Sequence, residues 1–182
     1  MSFTIARRAV LAAPFLAPGL ARAQTGWKPS RPVTMIVPFA AGSGTDTVAR
    51  TLSALLEREW GAQVVVDNRP GANGSIAAVA AARAAPDGHT VMITTNSPHG
   101  ATPALMKRPT YDPVADFSPL CRLGTYIFVF AVNDQVPVRS MAEFLALAKA
   151  QPGQLTCASG NTTGVVGAAM LNRIGGVDVT HV

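Results

Sequence analysis

Apolar residues along the first half of the chain follow two spacings, one typical of strands and one typical of helices. Short apolar, mostly β-branched runs at 33–39, 62–68 and 90–95 predict three strands. Helical spacing over 45–60 and an alanine-rich stretch over 75–85 predict the two helices between them. Because the strands are almost continuously apolar, this βαβαβ order predicts an α/β fold with a parallel sheet covered by helices on both faces.

A different pattern begins after the third strand. A loop rich in proline and aspartate is followed by two apolar stretches, 120–123 and 126–133, that have the composition of strands. Ser140 and Glu143 have the spacing of a capping box and predict the start of a helix that ends at 151–153. The last predicted elements are a strand at 155–159, a glycine-rich turn leading into a helix over 160–176, and a strand at 177–182.

These elements predict two lobes, 24–122 and 123–182, after a signal peptide at 1–23. The second lobe would have about 60 residues, fewer than a domain needs to bury a good core alone. It also ends on an apolar strand without a cap. We therefore expect the chain to be the N-terminal part of a longer protein, with the first lobe nearly complete and the second truncated.

The first 23 residues have the features of a cleavable export signal. Arg7 and Arg8 form a basic start, and 9–20 is an apolar stretch too short to span a bilayer. The Ala-Arg-Ala sequence at 21–23 fits the small-x-small cleavage rule, so the mature chain would begin at Gln24 in the periplasm. The alternative is an N-terminal membrane anchor. The paired arginines fit the twin-arginine route, and the looser pattern after them fits the Sec route equally well.

Composition and charge argue against nucleic acid as a partner. The chain is 48% hydrophobic and 14% charged, which is typical of a globular protein. Its formal charge of +5 falls to +2 once the signal and its three arginines are removed, because the signal contains no acidic residue. No cluster of Lys or Arg is left in the mature chain, and no later apolar run approaches the ~20 residues of a membrane helix.

Residues that would carry catalysis or bind a metal do not form recognisable motifs. Cys121 and Cys157 lie in apolar, strand-like stretches, which favours two buried free thiols over a disulfide. No Cys/His cluster has metal-ligand spacing, no G-x-S-x-G motif occurs, and no carboxylate pair is placed for acid–base chemistry. His89 follows a Pro-Asp-Gly turn and is expected to be solvated. The sequence therefore predicts neither a metal site nor catalytic residues.

Three loops follow predicted strands at their carboxyl ends, where open α/β sheets bind ligands. They cover 40–46, 96–100 and 159–164, and none contains Lys or Arg. Two of them lead directly into helices, whose first amide groups attract anions. Since the lysine of a phosphate-binding loop is absent, the predicted anion is a carboxylate. The hydroxyl groups available to join the amides belong to Ser43, Thr45, Thr95, Ser97, Thr162 and Thr163.

Three side chains near these loops have two interpretations each. Asp46 either caps its own helix together with Ser43 or receives a ligand amine or a water. His99 either contacts the ligand or packs within its loop. Phe39 either packs on the ligand or belongs to the core at the end of its strand.

A dinucleotide site is the main alternative function. Gly42, Ser43 and Gly44 form a G-x-G turn between a strand and a helix, and Asp67 lies near the position of a ribose-binding acid. Thr47 stands where the third small residue of that motif belongs, which weakens the match. The function implied would be that of an exported NAD-dependent oxidoreductase. A third interpretation is a sensor or partner protein that binds no ligand.

Several segments together resemble the Bug-type substrate-binding proteins of tripartite tricarboxylate transporters. The resemblance implies a periplasmic-binding-protein-like (type II) fold, a two-lobed Venus flytrap that closes about a hinge near 120–125. It also implies a monomer that is not an enzyme, needs no cofactor, and delivers a di- or tricarboxylate, amino acid or aromatic acid to membrane permease subunits. The matching segments are 31–50, 64–78, 84–95, 111–120 and the stretch from 158 to the end.

By position, the resemblance assigns ligand binding to the three loops. This chain differs from the family's pattern in both glycine turns, which here contain AAGSG and TTGVVG. The resulting candidate ligand-binding residues are Phe39, Ala40, Gly42, Ser43, Gly44, Thr45, Asp46, Asn96, Ser97, His99, Ser159, Gly160, Asn161, Thr162 and Thr163.

Overall fold

The structure is a computed structural model that describes residues 27–182. The predicted signal peptide therefore lies outside the described residues. Five strands and five helices follow one another in the order β1 (Val33–Val37), α1 (Gly44–Trp60), β2 (Val64–Asn68), α2 (Ser75–Ala82), β3 (Thr90–Met92), α3 (Thr102–Leu105), α4 (Met141–Ala150), β4 (Thr156–Cys157), α5 (Thr162–Gly175) and β5 (Thr180–His181).

The first sheet confirms the predicted parallel α/β architecture. Its strand order is β2-β1-β3, and β1 is parallel to both neighbours. Because the chain moves one way from β1 to β2 and the other way from β2 to β3, right-handed crossovers place α1 and α2 on opposite faces. One face of β1 buries Met35 against Ala49 of α1, and such a fully buried side chain contributes about 1.5–3 kcal/mol.

The second sheet is small. Strands β4 and β5 pair in parallel over two residues each, with α5 between them in the chain. Helix α4 begins as predicted, because the hydroxyl of Ser140 accepts the amide of Glu143 at 3.2 Å. The Glu143 carboxylate reaches back to the amide of Arg139, one residue before the cap.

The predicted strands at 120–123 and 126–133 are wrong for the described chain. This stretch has no regular secondary structure and pairs with no strand among residues 27–182. Its side chains are exposed, with 87% of Ile127 and 81% of Val129 accessible to solvent. A strand requires a neighbour for its backbone hydrogen bonds, and neither short sheet extends to this segment. The composition was typical of a strand, but composition alone supplies no partner.

Two side-chain predictions also need correction. His89 is buried rather than solvated, because Trp27 packs against its ring and its Nε2 accepts the amide of Ser30 at 3.2 Å. Cys121 and Cys157 are both free, as expected, but Cys121 is exposed and Cys157 is half-buried. Cys121 is exposed because it lies in the unpaired segment.

No helix of residues 27–182 has the length and apolar character needed to cross a bilayer.

A tight turn between β2 and α2 connects the first sheet to the loop after β3. Gly74 has φ 89°, and a Cβ there would lie 3.2 Å from Pro38 and 3.1 Å from Pro98. The hydroxyl of Thr102 donates to the carbonyl of Asn73 in the same turn at 3.2 Å. The turn therefore fixes the position of the loop after β3 relative to the end of β1.

We expect Gly74→Ala to destabilise the fold by about 1–3 kcal/mol, because it adds backbone strain to a close contact with both prolines. Urea-induced unfolding would measure the change. Gly124→Ala is the matched control, since a Cβ at Gly124 meets no atom within 4 Å. Equal effects of the two substitutions would contradict the role of this turn.

Candidate functional site

The three predicted loops lie where the predicted strands end. Phe39 and Ala40 follow β1, and the loop from Asn96 follows β3, which is parallel to β1. The first two loops therefore share one edge of the first sheet. Ser159 and Gly160 follow β4 in the second sheet.

The first loop forms a capped helix start. Ser43 is the N-cap of α1, and its hydroxyl accepts the amide of Asp46 at 3.2 Å. Gly42 has φ 82°, a conformation that favours glycine, and its amide donates to Asp46 Oδ2 at 2.8 Å. Among residues 27–182, the amides of Gly44 and Thr45 have no protein acceptor. These two groups are the free donors of α1.

The buried carboxylate of Asp46 accepts hydrogen bonds from neighbouring protein groups. Asn68 donates to its Oδ1 at 2.9 Å, and Arg50 donates to its Oδ2 at 2.9 Å. The bonds from Arg50, Gly42 and Asn68 lower the pKa of Asp46 to about 2, so the group is ionised at neutral pH. These contacts favour the structural interpretation of Asp46 over a direct ligand contact.

The second loop is a π-helical turn, Ser97–Ala101, that runs into α3. Ser97 is buried, whereas Asn96 is exposed at the start of the turn. A Cβ on Gly100 would lie only 2.4 Å from Asn96 Oδ1, so this glycine leaves room for the Asn96 side chain. π-Helical turns of this kind occur often at functional sites.

His99 in the second loop packs against its own neighbours. Its Nδ1 lies 2.8 Å from the hydroxyl of Thr94, and its ring meets that of Phe117 edge-on at 4.5 Å. Burial lowers the pKa of His99 from its ordinary value, so the ring is neutral at neutral pH. A neutral ring offers a hydrogen bond but no positive charge to a ligand.

The third loop also forms a capped helix start. Asn161 is the N-cap of α5, and its Oδ1 accepts the amide of Gly164 at 3.0 Å. A Cβ on Gly164 would lie 2.5 Å from the Cβ of Ser159, so glycine is required where the turn folds back. The hydroxyl of Ser159 is 2.9 Å from Nε2 of His181.

Hydroxyl groups join the second loop to the third. Ser97 Oγ lies 2.9 Å from Thr163 Oγ1 and accepts the Thr163 amide at 3.3 Å. Asn96 Nδ2 donates to Thr163 Oγ1 at 3.4 Å, and Thr102 and Thr162 pair through their hydroxyls at 2.8 Å. Two of the first amides of α5, those of Thr163 and Gly164, are thus occupied by protein oxygens.

Sequence reasoning missed Tyr126 as a neighbour of the first loop. Its hydroxyl lies 2.8 Å from Thr45 Oγ1, and its ring is 3.8 Å from where a Cβ on Gly44 would be. No local pattern identifies it, because it lies 81 positions after Thr45 in the chain. Among residues 27–182, no hydrogen bond joins the first loop directly to the third.

The loops contain no cationic side chain, and the nearest arginine is already paired. Arg50 donates to Asp46 and also to Asn68 Oδ1 at 3.2 Å. Asp67, the acid that a dinucleotide site would use, forms an ion pair with Arg69 at 2.8 Å. Two shallow surface grooves lie elsewhere, beside α3 and beside α2, and neither includes a residue of the three loops. The loops therefore contain amide and hydroxyl groups but no positively charged side chain.

Comparison with solved structures defines the class of protein. BugD, described as a periplasmic binding protein, is 29% identical with a TM-score of 0.69, and a second structure described as a periplasmic transporter is 36% identical with a TM-score of 0.75. MatC from Rhodopseudomonas palustris, solved with bound malate, is 33% identical with a TM-score of 0.71, and R. palustris Rpa4515, solved with adipate, is 32% identical with a TM-score of 0.74. In each case 85% of this chain is covered. The fold is that of a periplasmic binding protein.

The chain belongs to the family described as the tripartite tricarboxylate transporter family receptor (TctC), whose model matches residues 48–182. Protein BugT of Bordetella pertussis is 37% identical over 71% of this chain, and a UPF0065 protein of Bordetella bronchiseptica is 39% identical over 80%. The expected Bug-type resemblance is therefore confirmed. The family is a class of substrate-binding receptors rather than a class of enzymes.

The chain spans 40–43% of the length of these two curated relatives. It covers 52–53% of the solved chains named above.

The buried position of Asp46 predicts a specific acid sensitivity. Because its folded pKa is lowered from 3.8 to about 2, its stabilising effect is present above about pH 4 and is lost as pH falls to about 2. We expect Asp46→Asn to lower the melting temperature at pH 7 and to reduce the loss of stability between pH 4 and pH 2. Calorimetric melting across this range would measure both effects.

Asp134→Asn is the matched control, because no hydrogen bond to the Asp134 carboxylate occurs among residues 27–182. It should leave the melting temperature at pH 7 unchanged. An Asp46→Asn variant as stable as this control would show that the carboxylate does not hold the first loop in place.

Proposed function

We propose that the protein is a periplasmic solute-binding protein that captures a small dicarboxylate and presents it to the membrane subunits of a tripartite transporter. The observation that carries this proposal is that three loops rich in amides and hydroxyls, without Lys or Arg, follow parallel strands in a chain of this receptor family. Helix N-termini attract carboxylates by about 0.3–1 kcal/mol each. Export would follow the signal at 1–23, and we expect the protein to act as a monomer.

The proposed ligand is an organic acid with two carboxylates. The relatives Rpa4515 and MatC were solved with adipate and malate, which are both dicarboxylates. In this chain, the amides of Gly44 and Thr45 would receive one carboxylate, and Asn96 and the third loop would receive the other. Asp46 would hold the first loop rather than touch the ligand, because its own bonds already satisfy it.

The proposed mechanism is closure of two lobes about the ligand. We expect the hinge at 120–125, in the stretch without regular secondary structure that joins α3 to α4. A ligand favours closure only through contacts that the closed form alone can make. The Thr163 amide donates a hydrogen bond to the hydroxyl of Ser97. A carboxylate that bonds to this amide would have to displace that hydroxyl. The net gain in affinity at this position would therefore be smaller than at a free amide.

Ligand-dependent melting of the chain tests this proposal. Malate or adipate at about 100 times its Kd should stabilise the folded state by about 2.7 kcal/mol, whereas the neutral diamides of the same acids should not. Stabilisation by NAD alone would instead support the oxidoreductase alternative. A lack of response to any organic acid would favour a partner protein that binds no ligand.

Substitution of Asn96 tests the position of the ligand. Asn96→Asp keeps the size of the side chain but adds a negative charge at the second loop, so we expect at least about a tenfold loss of affinity for the dicarboxylate that binds. Asn133→Asp is the matched control, because it adds the same charge in a turn where only an acceptor is required. Calorimetric titration of both variants would measure the difference. Equal affinities would contradict a site at Asn96.

A further inference from the structure

We infer that Ser97, Thr102, Thr162 and Thr163 form a hydroxyl latch that holds the start of α5 against the turn after β3 and the start of α3. The four side chains come from segments 60 to 66 positions apart in the chain. They form two hydroxyl pairs, Ser97 with Thr163 at 2.9 Å and Thr102 with Thr162 at 2.8 Å. The latch consists only of contacts within the chain, so it stands independently of the proposed function.

Burial gives these contacts their strength. Ser97 is 1% exposed, Thr162 is 4% exposed and Thr102 is 6% exposed. A buried hydroxyl that loses its partner pays the cost of desolvation, about 1–3 kcal/mol, whereas an exposed hydroxyl would bond to water instead. Thr163 is half-buried, so burial favours the Thr102–Thr162 pair more than the Ser97–Thr163 pair.

The latch is anchored to the rigid part of the first sheet. Thr102 also donates to the carbonyl of Asn73, and the next residue, Gly74, packs against Pro38 at the end of β1. If the Thr102 proton goes to Asn73, then Thr162 donates the proton in the Thr102–Thr162 pair. A continuous series of hydrogen bonds thus runs from the turn after β2 through α3 to the first residue of α5.

Both pairs of the latch join neutral hydroxyl groups, and this limits the strength of the contact. Each pair between neutral groups contributes about 0.5–1.5 kcal/mol net. A contact of this size holds two elements together but allows local opening well before the whole chain unfolds. The two pairs should open together, since both lie at the first two residues of α5.

Hydrogen exchange at the Thr163 amide tests whether the latch opens as one unit. In Thr162→Val, the Ser97 acceptor is still present, but the Thr102–Thr162 pair is lost. We expect exchange of the Thr163 amide to accelerate about 2- to 10-fold, which is the factor that one ordinary hydrogen bond contributes. Thr162→Ser, which keeps the hydroxyl, should restore the original rate. The measurement is made by NMR on the full chain without ligand.

Two controls separate the latch from a general loss of stability. Thr51→Val removes a hydroxyl on the exposed face of α1 and should not change exchange at Thr163. The amide of Ile93, which bonds to Ile36 in the first sheet, should keep its rate in every variant. Should Thr162→Val fail to fold, Thr102→Val removes the same hydroxyl pair together with the bond to Asn73, and exchange of the Thr163 amide should accelerate by at least as much.

Two results would overturn the latch. The first is an unchanged rate at Thr163 in Thr162→Val and in Thr102→Val, since the two hydroxyl pairs would then act independently. The second is an equal acceleration at Thr163 and Ile93, since the substitution would then have weakened the whole fold. Ligand binding plays no part in either readout, so a failure of the latch and a failure of the proposed function are told apart.

Discussion

The buried carboxylate of Asp46 is the interaction on which the first loop depends. It accepts hydrogen bonds from Gly42 in the turn before α1, from Arg50 in α1 and from Asn68 at the end of β2. Its negative charge also lies at the positive end of α1. Among residues 27–182, the amides of Gly44 and Thr45 in the same turn have no protein acceptor.

The three loops contain neutral polar groups and no Lys or Arg. The guanidinium of Arg50 is bonded to Asp46 and to Asn68. Amides and hydroxyls bind a carboxylate more weakly than an arginine does, so several must act together. The proposed capture of a carboxylate by such groups would be reversible, in agreement with a family of receptors.

Local pattern predicted the regular elements well and the long-range contacts poorly. Strand β1 and helix α1 were found within two residues, because an apolar run, a Ser43 cap and helical spacing all act locally. The stretch at 126–133 was assigned to a strand from composition, but its pairing depends on a neighbour that composition does not specify. The surroundings of His89 depend on Trp27, and those of Tyr126 depend on Thr45. Both partners lie far away in the chain, so no local pattern identifies them. The sequence therefore predicted that these loops follow strands but not how the loops contact one another, and their role in ligand binding stays a prediction.

A crystal structure of the protein with malate or adipate tests the central claim most directly. The account predicts carboxylate oxygens about 3 Å from the amides of Gly44 and Thr45, with no Lys or Arg side chain in contact. It would be contradicted by a carboxylate bound to a cationic side chain, or by a ligand seated away from all three loops.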